Sequence, residues 1–206
     1  THIWHSGKVL VVRVFLTVLI LIFSLQTWTK ADDIRDFEIE GMSIGDSLLD
    51  FFSKEEIKNN IMWHYNDNKK NNEFVVVEFF SVPYFETYDG AQFIIKTEDK
   101  KYKIYAITGA ISFKKNINNC YPKMEKIADE ISQVLKSAEK SNSKFNSPQD
   151  KTGKSTVTGI YFEFEDGGNA SVQCYDYSKA MHPRIDNLRV ALRTKEYRRW
   201  YYDSIK

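Results

Sequence analysis

Glu163 and Glu165 are two carboxylates with a spacing that could support a reaction. Read as part of a strand, they share one face ~7 Å apart. That separation lies within the range used by paired carboxylates in glycoside hydrolysis. Asp89, Glu98 and Asp99 form a second acidic group able to pair as acid and base. Nothing in the sequence around either group marks a pKa-shifting environment, and a solvated sheet face accounts for the same residues. Beyond residue 31 the only histidines are His64, between Trp63 and Tyr65, and His182, before Pro183. Both read as loop or turn residues. There is no His/Cys spacing for a metal, no glycine-rich phosphate loop and no Gly-x-Ser-x-Gly. Gly41 and Gly45 belong to a helix entry. No metal and no cofactor are therefore expected.

A binding surface is the stronger reading. Residues 157–165, 170–177 and 188–193 alternate apolar and polar with a period of two, which is the signature of strands. If Ile160, Phe162, Phe164, Val172, Leu188, Val190 and Leu192 face a core, their neighbours face away. Those neighbours are Tyr161, Glu163, Glu165, Gln173, Tyr175, Tyr177, Arg189 and Arg193. Tyrosine with arginine on an open sheet is the mix found at protein-binding surfaces. Tyr161, Glu163, Tyr175, Tyr177, Arg189 and Arg193 are the candidate binding residues. The competing explanation is an ordinary solvated face, since tyrosine also has good strand propensity. Arg198, Arg199, Trp200, Tyr201 and Tyr202 make a basic aromatic end. It suits a membrane-surface helix, but more simply a terminal helix that packs Trp200 on the sheet.

These side chains need elements to position them. Residues 119–140 place Cys120, Met124, Ile127, Ile131, Val134, Leu135 and Ala138 on one helical stripe, with Asn119 as the expected cap. A one-faced helix needs a sheet to cover. Ser43/Asp46 and Ser53/Glu56 are capping pairs for two short helices, the second starting at Lys54. Residues 74–81 (FVVVEFFS) read as a central strand buried on both faces. Further strands are expected at 91–96 and 102–113, the latter bent at Gly109. The polar stretch 141–155 reads as a mobile loop. Asp166-Gly167-Gly168 turns a hairpin, and Thr194 caps the last helix. The expected fold is α+β: an antiparallel sheet of about six strands with helices on one face, in helix-βββ-helix-βββ-helix order.

Of the 29 basic residues, three lie in the first 31 positions, which hold no acid; that leaves 26 bases against 28 acids, a net of −2. So even a balance gives no electrostatic case for nucleic acid. Lys8 and Arg13 precede an uncharged run at 14–25, too short for a span, and Ala31 offers a small residue for cleavage. Residues 1–31 are expected to be a signal peptide and 32–206 a single exported domain, periplasmic or secreted, with no membrane span after cleavage; an uncleaved N-terminal anchor is the alternative. An exported chain with two cysteines favours a Cys120–Cys174 disulfide. Strand phase agrees, because Val172 and Cys174 share a face and Cys120 opens the apolar stripe of the covering helix.

The stretches WTKADDIRDFEIEGMSIGDSLLDFF (28–52) and YDGAQFIIKTEDKKYKIYAITG (88–109) resemble a family of small secreted proteins from marine alphaproteobacteria. That resemblance implies export and no particular activity. Gly41-Met42-Ser43 more weakly resembles the helix start of the SmpA/OmlA assembly lipoprotein and of β-lactamase inhibitor proteins, which implies antiparallel strands with an open face for binding protein. The Leu-Gly-x-Pro ending of that helix and the lipid-attachment cysteine of SmpA/OmlA are absent here. Two functions of different class follow. The first is a non-catalytic envelope binding or inhibitor-like protein with an envelope protein as partner. The alternative is a small secreted hydrolase with a carboxylate pair.

Overall fold

The structure, a computed structural model, describes residues 34–62 and 72–204. The expected signal peptide and His64 lie outside the described residues. A two-stranded ribbon, β1 (Glu38–Ile39) and β2 (Met42–Ser43), comes first. The main sheet contains β3 (Phe74–Phe80), β4 (Gly90–Lys96), β5 (Ala106–Ser112), β6 (Glu139–Asn146), β7 (Thr156–Glu163), β8 (Asn169–Asp176) and β9 (Asn187–Arg193). Among the described residues, three α-helices accompany it: α1 (Lys54–Asn59), α2 (Cys120–Val134) and α3 (Lys195–Ser204). The fold is α+β.

The seven strands are all antiparallel, in the order β3-β4-β5-β9-β8-β7-β6. Two meanders, β3 to β5 and β6 to β9, meet where β9 pairs with β5. Seven strands replace the expected six because β6 occupies 139–146, much of it in the stretch read as a loop. All eight β6 residues are exposed, so no apolar alternation marks the strand in the sequence. The rest of that stretch is pinned. Asp150 accepts from the Ser155 and Thr152 backbone N–H groups, both at 2.9 Å, and from the Ser155 hydroxyl at 2.6 Å.

The sheet has a core face and an outer face. Val75, Val77, Phe93, Ile107, Leu192, Val190, Val172, Ile160 and Phe162 share the core face through the strand registers, and all are buried. Helix α2 covers it with Cys120, Met124, Ala128 and Ile131. A Cys120–Cys174 disulfide, Cα atoms 6.0 Å apart, joins the start of α2 to β8. The helix ends at Val134, six residues earlier than expected, and the chain turns back to enter β6. Asn119 stands at its N-cap position, as expected, but its side chain makes no capping hydrogen bond. Asn116 instead caps a preceding 3-10 turn, its side chain accepting from the Asn118 N–H at 3.0 Å.

Ser53 and Glu56 form the expected capping box of α1. The Ser43/Asp46 pair closes a turn rather than starting a helix, with the Ser43 N–H donating to Asp46 at 2.8 Å. Strand β3 lies at an edge of the sheet and is not central. Residues 60–62 cover that edge, with Met62 N–H donating to the Val76 carbonyl and Glu78 N–H to the Asn60 carbonyl, both at 2.9 Å. Strand β5 starts four residues late. Residue 104 bonds Gly45 and Asp46, each at 2.9 Å, which draws that part of the chain off the ladder. Gly109 makes no bulge, and its register with Ala91 and Val190 is regular. It is small because the Tyr88 ring lies over it, 2.6 Å from where a Cβ would stand.

The helices do not share one face. Trp200 of α3 packs on the outer face with Phe74, Ile94 and Ala106. Its ring meets Phe74 edge-on at 5.2 Å. The cause is local. Phe74, Val76, Ile94 and Ala106 leave an apolar corner on the outer face, and the chain leaves β9 beside it, where Thr194 N–H donates to the Tyr105 carbonyl at 3.0 Å. Thr194 caps the helix, its hydroxyl accepting from Tyr197 N–H at 3.2 Å. Trp200 therefore packs on the sheet.

Candidate functional site on the outer sheet face

Strand register lays the outer face out in rows. One row runs Glu78, Gln92, Thr108, Ala191, Ser171, Tyr161. The next runs Phe80, Gly90, Ala110, Arg189, Gln173, Gly159. Tyr161, Glu163, Tyr175, Arg189 and Arg193 all belong to this face, as their strand phase requires. Tyr177 follows β8 in the same phase. All six are half-buried, so none is a freely solvated side chain.

Their partners divide them into two groups. Near α3, polar groups satisfy one another. Arg193 Nη1 donates to the Ser171 hydroxyl at 3.0 Å, Ser171 donates to Gln173 at 3.3 Å, and Gln173 donates to the Tyr161 hydroxyl at 2.9 Å. Ser171 and Gln173 are buried. Buried polar groups in a satisfied chain hold a surface rigid. Glu163 accepts from Arg198 of α3 at 2.6 Å and from Asn169 at 3.3 Å. Its carboxylate fastens α3 to the sheet.

The strand face expected to carry both Glu163 and Glu165 does not extend to Glu165. Strand β7 ends at Glu163, and Glu165 is exposed in the following turn, where Phe164 N–H donates to the Gly168 carbonyl at 3.1 Å. Asp89 and Asp99 sit at opposite ends of β4. Asp89 accepts from Ser112 N–H at 2.6 Å, and Asp99 accepts from Lys101 and Lys103 N–H at 2.8 and 3.0 Å. Both are turn clips. Among the described residues, no group of three His, Cys, Asp or Glu side chains could hold a metal ion.

Away from α3 the outer face holds a hollow of about 310 Å³. Glu78, Gln92, Thr108 and Ala110 form its floor, and Tyr177, Arg184 and Ile185 rise as a wall. Arg189 stands between floor and wall. Its guanidinium lies 4.4 Å from the Tyr175 ring centre, its Nε donates to Asn187 at 3.0 Å, and its Nη2 reaches the Tyr177 hydroxyl at 3.5 Å. Burial raises the Tyr175 phenol above its ordinary value, and the Arg189 cation pulls the other way. Glu78 accepts a hydrogen bond from Gln92. The exposed Phe80 and Ile185 flank the opening.

Sequence reasoning reached Arg189 and Tyr177 but not Glu78, Phe80, Arg184 or Ile185. A signal existed for the first two. Glu78 is the one charge in FVVVEFF, and Phe80 shares its phase. Reading that run as buried on both faces hid them. Arg184 and Ile185 lie in a loop, where no periodicity indicates direction.

The chain matches no protein-family model, no curated protein and no solved structure.

Proposed function

We propose that this chain is an exported, non-catalytic protein that binds a protein partner through the outer sheet face, around the hollow. One observation carries the reading: Arg189 is held over the Tyr175 ring at the edge of a concavity flanked by exposed Phe80 and Ile185. Arginine and aromatic anchors in or beside a pocket are the groups that dominate binding energy at protein interfaces. The Cys120–Cys174 disulfide supports export, because disulfides persist in oxidising compartments. Among the described residues no helix is long and apolar enough to cross a membrane. The resemblance to small secreted proteins, and more weakly to inhibitor-like folds with an open sheet face, points the same way. The hydrolase alternative has less support, since Glu163 is committed to Arg198. The test is the triple variant F80A/Y177A/R189A. It is expected to keep the wild-type circular dichroism and to lose a partner captured by the wild type from an envelope extract of the producing cell. Equal recovery by both chains would remove the proposal.

A further inference from the structure

Arg184 and Arg189 are two cations facing one hollow without a carboxylate to neutralise them. No ion pair reaches either among the described residues. They flank the same ring. Arg184 lies 5.7 Å from the Tyr177 ring centre, and Arg189 Nη2 is 3.5 Å from its hydroxyl. Arg189 uses Nε on Asn187 and Nη2 on Tyr177, and Arg184 uses Nη1 on Gln149. That leaves Nη1 of Arg189, and Nε and Nη2 of Arg184, to donate elsewhere. Guanidinium groups fixed by stacking lose little freedom when they bind an acceptor. At the other end of the floor is Glu78, three strand spacings across and two residues along from Arg189, or ~16 Å. The hollow is therefore dipolar, with an apolar opening between its poles.

We infer that the hollow takes an extended peptide segment of the protein partner, with an acidic side chain on Arg184 and Arg189 and a basic side chain on Glu78. This rests on the reading of the outer face as a protein-binding surface. In an extended segment, side chains at i and i+4 stand on one face ~14 Å apart, and the reach of the side chains covers the remaining separation of the poles. An apolar residue between the two charges would lie against Phe80 and Ile185. Glu78 also bears on the kind of anion. A carboxylate on the floor repels a phosphate dianion more than it repels a single carboxylate, and it gives a polyanion no partner. Arginine matches a carboxylate in a planar, two-bond geometry.

The test uses the full chain, isotope-labelled, and blocked pentapeptides read by amide chemical shifts. Acetyl-Lys-Ala-Leu-Ala-Glu-amide, which puts Lys, Leu and Glu on one face, is expected to shift Gly90, Ala110 and Arg189. Replacing its Glu by Gln, or its Lys by Gln, should weaken binding at least tenfold. In R184Q/R189Q the Glu and Gln peptides should bind alike, and in E78Q the Lys and Gln peptides should bind alike. Indifference to the peptide charges, no shift at millimolar peptide, or displacement by inorganic phosphate at equal concentration would overturn the inference. If the pentapeptides fail while F80A/Y177A/R189A still loses the captured partner, the dipolar peptide falls and the protein-binding face stands.

Discussion

Arg189 lies diagonally across from Tyr175 on β9 and β8, its guanidinium 4.4 Å from the ring centre. Such a stack is attractive and orients the planar donor group. Lysine would keep the charge but lose the plane and the fork. R189K is therefore expected to weaken partner binding by about tenfold. Its stability should stay within about 0.5 kcal/mol of wild type, as for a surface change away from the core. Calorimetric titration and thermal melts of the same variant separate the two effects.

The disulfide is expected to contribute to stability chiefly through the unfolded chain. Its cysteines are 54 residues apart, for which the loop-entropy model gives about 4 kcal/mol, an upper value if the native bridge is strained. The double variant C120A/C174A should unfold at markedly lower denaturant, with α2 the first element to lose amide protection. An unchanged midpoint would mean that α2 holds its place by packing alone.

Asp150 fastens the β6–β7 connection and reaches further, accepting from the Ser178 hydroxyl at 2.7 Å. Hydroxyl donation from Ser155, then Thr152 and Ser178, holds its carboxyl well below the ordinary 3.8. A depressed folded pKa means that the contribution is fully present above the unfolded value. It is lost as pH falls below that value toward the folded one. Wild-type stability should therefore drop below about pH 4, and D150N should show a shallower slope there with lower stability at neutral pH. Urea melts from pH 2 to pH 7 measure both.

Gly109 tests the packing of Tyr88, whose buried phenol is pushed up to about 12 by burial and by the Glu40 charge. A Cβ at position 109 would meet the ring at 2.6 Å, and the ring has the sheet beneath it. G109A is expected to cost about 1–3 kcal/mol, as overpacking does. Pairing it with Y88A should recover part of that loss in a double-mutant cycle.

Legibility followed local period. The segregation of Tyr161, Tyr175, Arg189 and Arg193 from Ile160, Val172 and Leu188 could be read because strands that bury one face must alternate. The Cys120–Cys174 pairing followed from the same phase. Strand β6 could not be read, since a strand exposed on both faces carries no alternation. The side on which α3 packs depends on Phe74 and Ala106, more than ninety residues before Trp200, and no local window contains that relation. The hollow has the same origin. Glu78 and Arg189 come to line one hollow only because β9 returns to pair with β5, bringing two meanders into one sheet.

A photo-crosslinking amino acid at position 185, beside the hollow, tests the central claim most directly. Ile185 is exposed, and Lys126 on α2 serves as the control on the opposite side of the sheet. In the producing cell, position 185 should yield a discrete protein adduct that position 126 does not. That adduct should disappear in the F80A/Y177A/R189A background. No adduct from position 185, or the same adducts from both positions, would contradict a protein-binding outer face.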